Sequence, residues 1–194
     1  MKAKHRRRRR VAIACAVVAA GVVAGVLLGL AGKVDQAIQE LTLPLRHEDI
    51  IRQQAEEKGI EASLIAAVIY SESRFRDQTS SAGARGLMQI TPETALDIAR
   101  RSEAETFVIK DLADPQINIS YGTYHLRDLL VLYDGNEVAA LAAYNAGPGS
   151  VEKWGGDDLK LENIRFPETR AYVEDVLDKK DEYRAEYARE LGYR

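Results

Sequence analysis

The chain has 194 residues, 46% apolar and 29% charged, which suits one folded domain with extras and excludes wholesale disorder. Its formal net charge of −3 averages two unlike parts: residues 1–33 hold eight Lys/Arg and no acid, and residues 34–194 hold nineteen Lys/Arg against thirty Asp/Glu, a net of −11. An acidic body excludes a nucleic-acid-binding domain, which needs positive surface, and a lone cysteine excludes a disulfide framework or a multi-Cys metal site.

In chain order, a basic tail comes first (residues 1–10, with Lys2, Lys4 and Arg6 to Arg10). Residues 11–32 follow with no charged or strongly polar side chain. As a helix this run measures roughly 33 Å, enough to cross a hydrocarbon core of about 30 Å. It exceeds the apolar stretch of a cleaved signal peptide, so it is expected to be an uncleaved, single-pass signal anchor. The positive-inside bias then keeps the arginines in the cytoplasm and places the rest of the chain outside the cell membrane. Only four apolar residues precede Cys15, too few for a lipoprotein signal, so Cys15 reads as a small apolar residue of the anchor. Residues 33–46 form a linker, with helix expected to continue through Ile38 and Leu41 until Pro44 stops it.

Residues 47–194 read as one mainly helical domain. Helices are expected at Glu48–Lys58, closed by Gly59, and at Ala62–Ser73, apolar at Leu64, Ile65, Val68 and Ile69 before turning polar. The Ser-, Gly- and Arg-rich stretch 74–90 predicts a loop with at most a small β-ribbon. Thr91 and Pro92 start another helix as cap and first-turn residue. A long helix is expected over 115–133, a turn at 134–136, and a helix over 137–146 closed by Gly147. Pro167 opens a last helix to about Leu191, whose charged later half reads as solvated.

Five separated blocks carry the functional signal. They are AVIYSESRF (67–75), SSAGARGLMQI (80–90) followed by Thr91 and Pro92, Asn118 and Ile119 with Gly122, AYNAGPG (143–149) with Trp154, and PETRAYV (167–173). In this order they closely resemble the catalytic domain of the soluble lytic transglycosylase family, related to goose-type lysozymes, over about residues 47–178. The resemblance implies a lysozyme-like fold acting on peptidoglycan glycan strands. The bond cut would be the MurNAc–GlcNAc β-1,4 linkage, leaving 1,6-anhydro-MurNAc ends with no cofactor.

Most glycosidases use two carboxylates. The resemblance implies only one, Glu72, which would protonate the leaving oxygen and then accept a proton from the sugar's own 6-hydroxyl as that group attacks C1. The residues fit this role. Glu72 ends a helix whose preceding turns are apolar, so desolvation and the negative helix terminus both raise its pKa. The resemblance also makes Ser81, Gln89, Tyr144, Asn145 and Glu168 substrate-binding residues, with the Tyr144 hydroxyl orienting Glu72 or the sugar. Glu168 alternatively reads as a first-turn acid stabilising its own helix. Arg170 reads as a buried salt-bridge partner, Gly83, Gly86 and Gly147 as backbone-geometry positions, and Met88 as core.

Two departures stand out. His125 occupies a position where the family usually has Tyr, and with no Ser–His–Asp spacing it reads as a packed helix histidine. Asp77 and Gln78 stand where Asn-Pro is common. His5 and His47 are isolated, so no metal site is expected. Expected partners are glycan strands and, through residues 11–32, the cytoplasmic membrane; cell-wall synthesis or division machinery is a further candidate. Two other functions fit the same blocks, a hydrolytic muramidase and a catalytically weak glycan-binding scaffold.

Overall fold

The computed structural model describes residues 38–102 and 106–193. The chain divides into a unit Met1–Leu43 and a compact unit Pro44–Arg194. Of the first, only its end is described, with helix at residues 38–42 that stops before Pro44. The anchor expected at residues 11–32 lies outside the described residues, and no described helix is long and apolar enough to cross a membrane.

The second unit is helical. In chain order it contains α1 (Glu48–Lys58), α2 (Ala62–Ser73), α3 (Pro92–Arg101), α4 (Pro115–Leu132), α5 (Glu137–Ala146), the short α6 (Pro148–Glu152) and α7 (Pro167–Glu186). Local chemistry sets most of the boundaries. Gly59 ends α1 in the left-handed region at φ 64°. Thr91, Asp114 and Asn136 cap α3, α4 and α5 by accepting from backbone N–H groups of the first turn. Stretch 74–90 forms no strand; the expected ribbon is reduced to two isolated antiparallel bridges, Thr79 with Arg85 and Arg85 with Ile90. Helix α6 and three 3₁₀ turns, Ile109–Ala113, Gly156–Asp158 and Leu161–Asn163, went unforeseen because such short pieces carry no periodicity.

Helix α2 is the centre. Every residue from Ala62 to Tyr70 is buried, as a helix apolar all round must be. Its most extensive packing is against α7, with α1 next, while α4 packs against α1 and α5, and α5 against α7. The later half of α7 is exposed at Asp181, Glu182, Arg184 and Glu186, as its charge predicts, but it is tied to neighbouring elements at three residues. The helix ends at Glu186, Tyr183 is fully buried, and its hydroxyl donates to the Pro44 carbonyl at 2.6 Å. Lys180 binds Glu137 at 2.7 Å, and Arg184 binds Glu61 at 2.6 Å. Those charges are held by neighbouring elements, a pairing that depends on long-range packing and leaves no local trace.

Loop 78–90 is fastened to α4 by one buried amide. The Asn118 side chain accepts from the Met88 N–H at 2.8 Å and donates to the carbonyls of Arg85 (3.0 Å) and Leu112 (2.9 Å). Close approach explains two glycines. A Cβ at Gly86, where φ is 76°, would lie 2.0 Å from Asn118, and one at Gly122 would lie 2.4 Å from the Met88 sulfur. Met88 is thereby seated in the core, fully buried.

Candidate active site

Glu72 stands on the last turn of α2, where the apolar helix reaches the surface, and is itself half-buried. Burial pushes its pKa up from 4.5 to about 7, against the opposing effect of one hydrogen bond, in which the Tyr172 hydroxyl donates to Oε1 at 2.8 Å. A carboxyl with such a pKa is about half protonated at neutrality and can donate a proton there. The backbone just after it is unusual. Arg74 and Phe75 both adopt left-handed conformations, at φ 52° and 59°, which turns the chain sharply out of the helix.

Loop 78–90 is wired to this helix end. The Gln78 side chain donates to the Glu72 carbonyl at 3.3 Å. The Gln78 carbonyl in turn accepts from the Gly86 N–H at 2.9 Å and from the Gln89 side chain at 3.1 Å. The Gln89 amide also donates to the Gly86 carbonyl at 2.8 Å. The departure at Gln78 therefore has a structural use, since a proline there would lack the amide that reaches Glu72.

On the other side, Tyr144 of α5 donates to the Met88 carbonyl at 2.9 Å. Burial raises the phenols of Tyr144 and Tyr172 well above their ordinary range, and the nearby Glu72 charge adds to this, so both remain neutral donors. His125 packs its ring 5.2 Å from that of Tyr144, and burial lowers its pKa, so it sits neutral in a packed position. Next to Tyr144, the Asn145 carbonyl oxygen accepts from the Thr169 hydroxyl at 2.8 Å. Glu168 is exposed in the first turn of α7, one helical turn before Tyr172 and so on the same face.

Hydrogen bonds thus link the surroundings of Glu72, Gln89, Tyr144 and Asn145 to the start of α7. Ser81 is exposed in the turn 80–84 and, among the described residues, makes no side-chain hydrogen bond to the other five candidates. The hydroxyl on Glu72 comes from Tyr172, while that of Tyr144 braces the loop backbone. Tyr172 lies inside the block PETRAYV, four residues after Glu168, and that spacing was the available signal for it. Arg170 departs from expectation: among the described residues it makes no ion pair, and its guanidinium donates to the carbonyls of Glu162 and Ile164, closing the turn before α7.

Comparison with known proteins places this geometry. Residues 49–166 match the family described as the transglycosylase SLT domain. The soluble lytic murein transglycosylase of Escherichia coli K12 is 34% identical over 157 residues, 76% of this chain and 24% of that protein. The putative soluble lytic murein transglycosylase of Haemophilus influenzae is 35% identical over 145 residues, 71% of this chain and 24% of that protein. The chain therefore spans about a quarter of the length of these curated relatives. Among solved structures, an inactive mutant of the lytic transglycosylase Slt from Pseudomonas aeruginosa aligns with TM-score 0.72 at 34% identity, covering 77% of this chain and 26% of that one. The 70 kDa soluble lytic transglycosylase of Escherichia coli aligns equally well, TM-score 0.72 at 33% identity over 85% of this chain and 29% of that one. The same 70 kDa type of enzyme, in complex with bulgecin A, aligns with TM-score 0.71.

Two predictions follow from the carboxyl and its tyrosine. Between pH 4.5 and about 7 the folded chain keeps a proton on Glu72 that the unfolded chain has lost, so stability falls as pH rises through that window. Glu72→Gln removes this penalty. Urea unfolding should show the variant more stable by up to about 3 kcal/mol near pH 8, with the advantage gone below pH 4.5. Tyr172→Phe removes the donor that favours the carboxylate. The alkaline limb of the pH–rate profile should then move up by about one unit, and an unmoved limb would show that Tyr172 does not set the Glu72 proton affinity.

Proposed function

The chain belongs to the transglycosylase SLT domain family, and on that premise we propose that it is a membrane-anchored lytic transglycosylase that cuts peptidoglycan glycan strands. The observation that carries the reading is Glu72, a carboxyl held by an apolar helix end and one tyrosine with a pKa of about 7. In the proposed reaction Glu72 protonates the glycosidic oxygen between MurNAc and GlcNAc as the C1–O bond breaks. It then takes the proton of the substrate's 6-hydroxyl as that oxygen bonds to C1, closing a 1,6-anhydro ring. The nucleophile belongs to the substrate, so its high effective concentration replaces a second carboxylate and an activated water. Both Glu72 states are accessible near neutrality, as one group serving first as acid and then as base requires.

In this reading Gln89 forms one wall of the sugar groove and Tyr144 and Asn145 the other. Glu168 and Ser81 contribute polar groups at its edges. Residues 11–32 anchor the chain in the cytoplasmic membrane with the catalytic unit on the outer side, which makes strands near the membrane the substrate and cell-wall synthesis or division machinery a candidate partner. The basic tail before an apolar run of spanning length supports that placement.

Mass spectrometry of peptidoglycan digested by the full chain tests the chemistry. Anhydro ends are expected, with release reduced about a thousandfold or more in Glu72→Gln. Reducing ends would instead identify a muramidase, and unchanged lysis by the variant would remove Glu72 from the mechanism. Membrane fractionation of expressing cells tests the anchor. The full chain should resist extraction by carbonate, and a chain lacking residues 11–32 should not; release of the full chain by carbonate would refute the anchoring.

A further inference from the structure

The start of α7 carries an aromatic ring that the fold leaves in the open. Among the described residues Phe166 is the only Phe, Trp or Tyr side chain that is exposed, at 46%. It is not a loose side chain. Trp154, nearly buried just after α6, meets it at a perpendicular angle, with ring centroids 4.9 Å apart and planes at 86°. Such a pair covers at most one face of Phe166, so the other stays open to water. The backbone is pinned as well. Phe166 is the N-cap residue of α7, and its carbonyl accepts from the Arg170 N–H at 3.0 Å. The Arg170 guanidinium donates to the carbonyls of Glu162 and Ile164, which fixes the turn leading into that cap. A ring held in place beforehand loses little freedom when a ligand lies on it.

The surroundings of the ring indicate what that ligand is. Arg165 and Glu168, close to it in the chain, are both exposed. Thr169 stands in the same turn of α7 and donates to Asn145 at 2.8 Å, which brings the exposed Asn145 to this turn. Tyr172, the donor to Glu72, follows on the same helix, a rise of roughly 7.5 Å from Pro167. One flat apolar face with a guanidinium, a carboxylate and an amide nearby is the complement of an N-acetylated pyranose. Such a sugar has C–H groups on one face and hydroxyl and amide groups around its edge. A protein partner or a membrane would call for a broader apolar patch than one ring among polar residues.

We propose that the open face of Phe166 is a sugar-stacking subsite for an N-acetylated pyranose, with Glu168 and Asn145 as its polar rim, and that this sugar belongs to the strand cut at Glu72. The second half rests on the function proposed above. The strand would then be held at two points on α7, by stacking at its first residue and by the carboxyl that Tyr172 braces. Phe166 is in this role a binding residue and takes no part in proton transfer.

Trp154 is the single tryptophan of the chain, so its emission reports on the ring beside it. The test uses the full chain in detergent micelles, with chitotetraose, a GlcNAc oligomer, as the probe. Adding the probe should change Trp154 emission saturably. Phe166→Leu keeps apolar packing against Trp154 but loses the flat face, and should weaken binding about fivefold to tenfold; Phe166→Tyr should bind within about twofold of the wild type. In digestion assays Phe166→Leu should raise KM on peptidoglycan several-fold, with kcat within about twofold of the wild type. Equal chitotetraose affinity in the wild type and Phe166→Leu, or binding seen by calorimetry while Trp154 emission stays unmoved, overturns the subsite. A dimer lost in ultracentrifugation of Phe166→Leu, with chitotetraose affinity intact, would assign the ring to contact between copies and overturn it as well. Chitotetraose binding that depends on Phe166, in a wild-type chain that cuts no peptidoglycan, would refute the reading of Glu72 and leave the subsite standing. Normal cutting with an unaltered KM in Phe166→Leu would do the reverse.

Discussion

An apolar helix enclosed on every side and ending in a carboxyl group is the constraint on which the other features depend. Burying Ala62 to Tyr70 stabilises the unit by removing apolar surface from water. The same burial carries Glu72 into a site poor in water, where its charged form is disfavoured. Stability and acidity therefore have one origin with opposite signs. The helix that holds the fold together is also the one whose end costs stability once the carboxyl ionises.

The surrounding elements limit that cost and define what the carboxyl faces. Helix α7 packs against α2 and delivers Tyr172 to Oε1, while Ser71, next to Glu72, donates to Asp175 of the same helix at 2.7 Å. Two contacts from α7 on adjacent residues of α2 fix the direction in which the carboxyl points. Loop 78–90 approaches from the other side and is held at three places: by Gln78 on the Glu72 carbonyl, by Asn118 on the backbone at Arg85 and Met88, and by Tyr144 on the Met88 carbonyl. A chain segment without regular strands is thereby given a fixed shape by side-chain amides and a phenol. The buried one among them, Asn118, makes three hydrogen bonds, which is what permits its polar atoms at that depth.

Much of this was legible in the sequence, for reasons that differ between features. Helix ends were readable because caps are local: Gly59, Thr91 with Pro92, and Asn136 act within one turn of themselves. The candidate acid was readable because an apolar stretch running into SES puts a carboxyl at a buried helix end, and because the order of the blocks resembled a known family. Tyr172 was not singled out, since its role requires α7 to lie against a residue 100 positions earlier. The ion pairs on the later half of α7 leave no sequence signal for the same reason. Nothing near Lys180 and Arg184 in the chain marks Glu137 and Glu61, which the fold brings beside them. The use of Gln78 depends on the folded loop as well, because a sequence departure says what is replaced and not what the new side chain reaches.

The account stands on the protonation of one group. Carbon-detected NMR titration of the Glu72 side-chain carboxyl, assigned by comparison with Glu72→Gln, measures it without reference to any substrate. The account predicts a midpoint near pH 7. A midpoint near 4.5, the ordinary value for an exposed glutamate, would mean that the helix end does not desolvate the carboxyl, and would contradict its role as the single acid of the site.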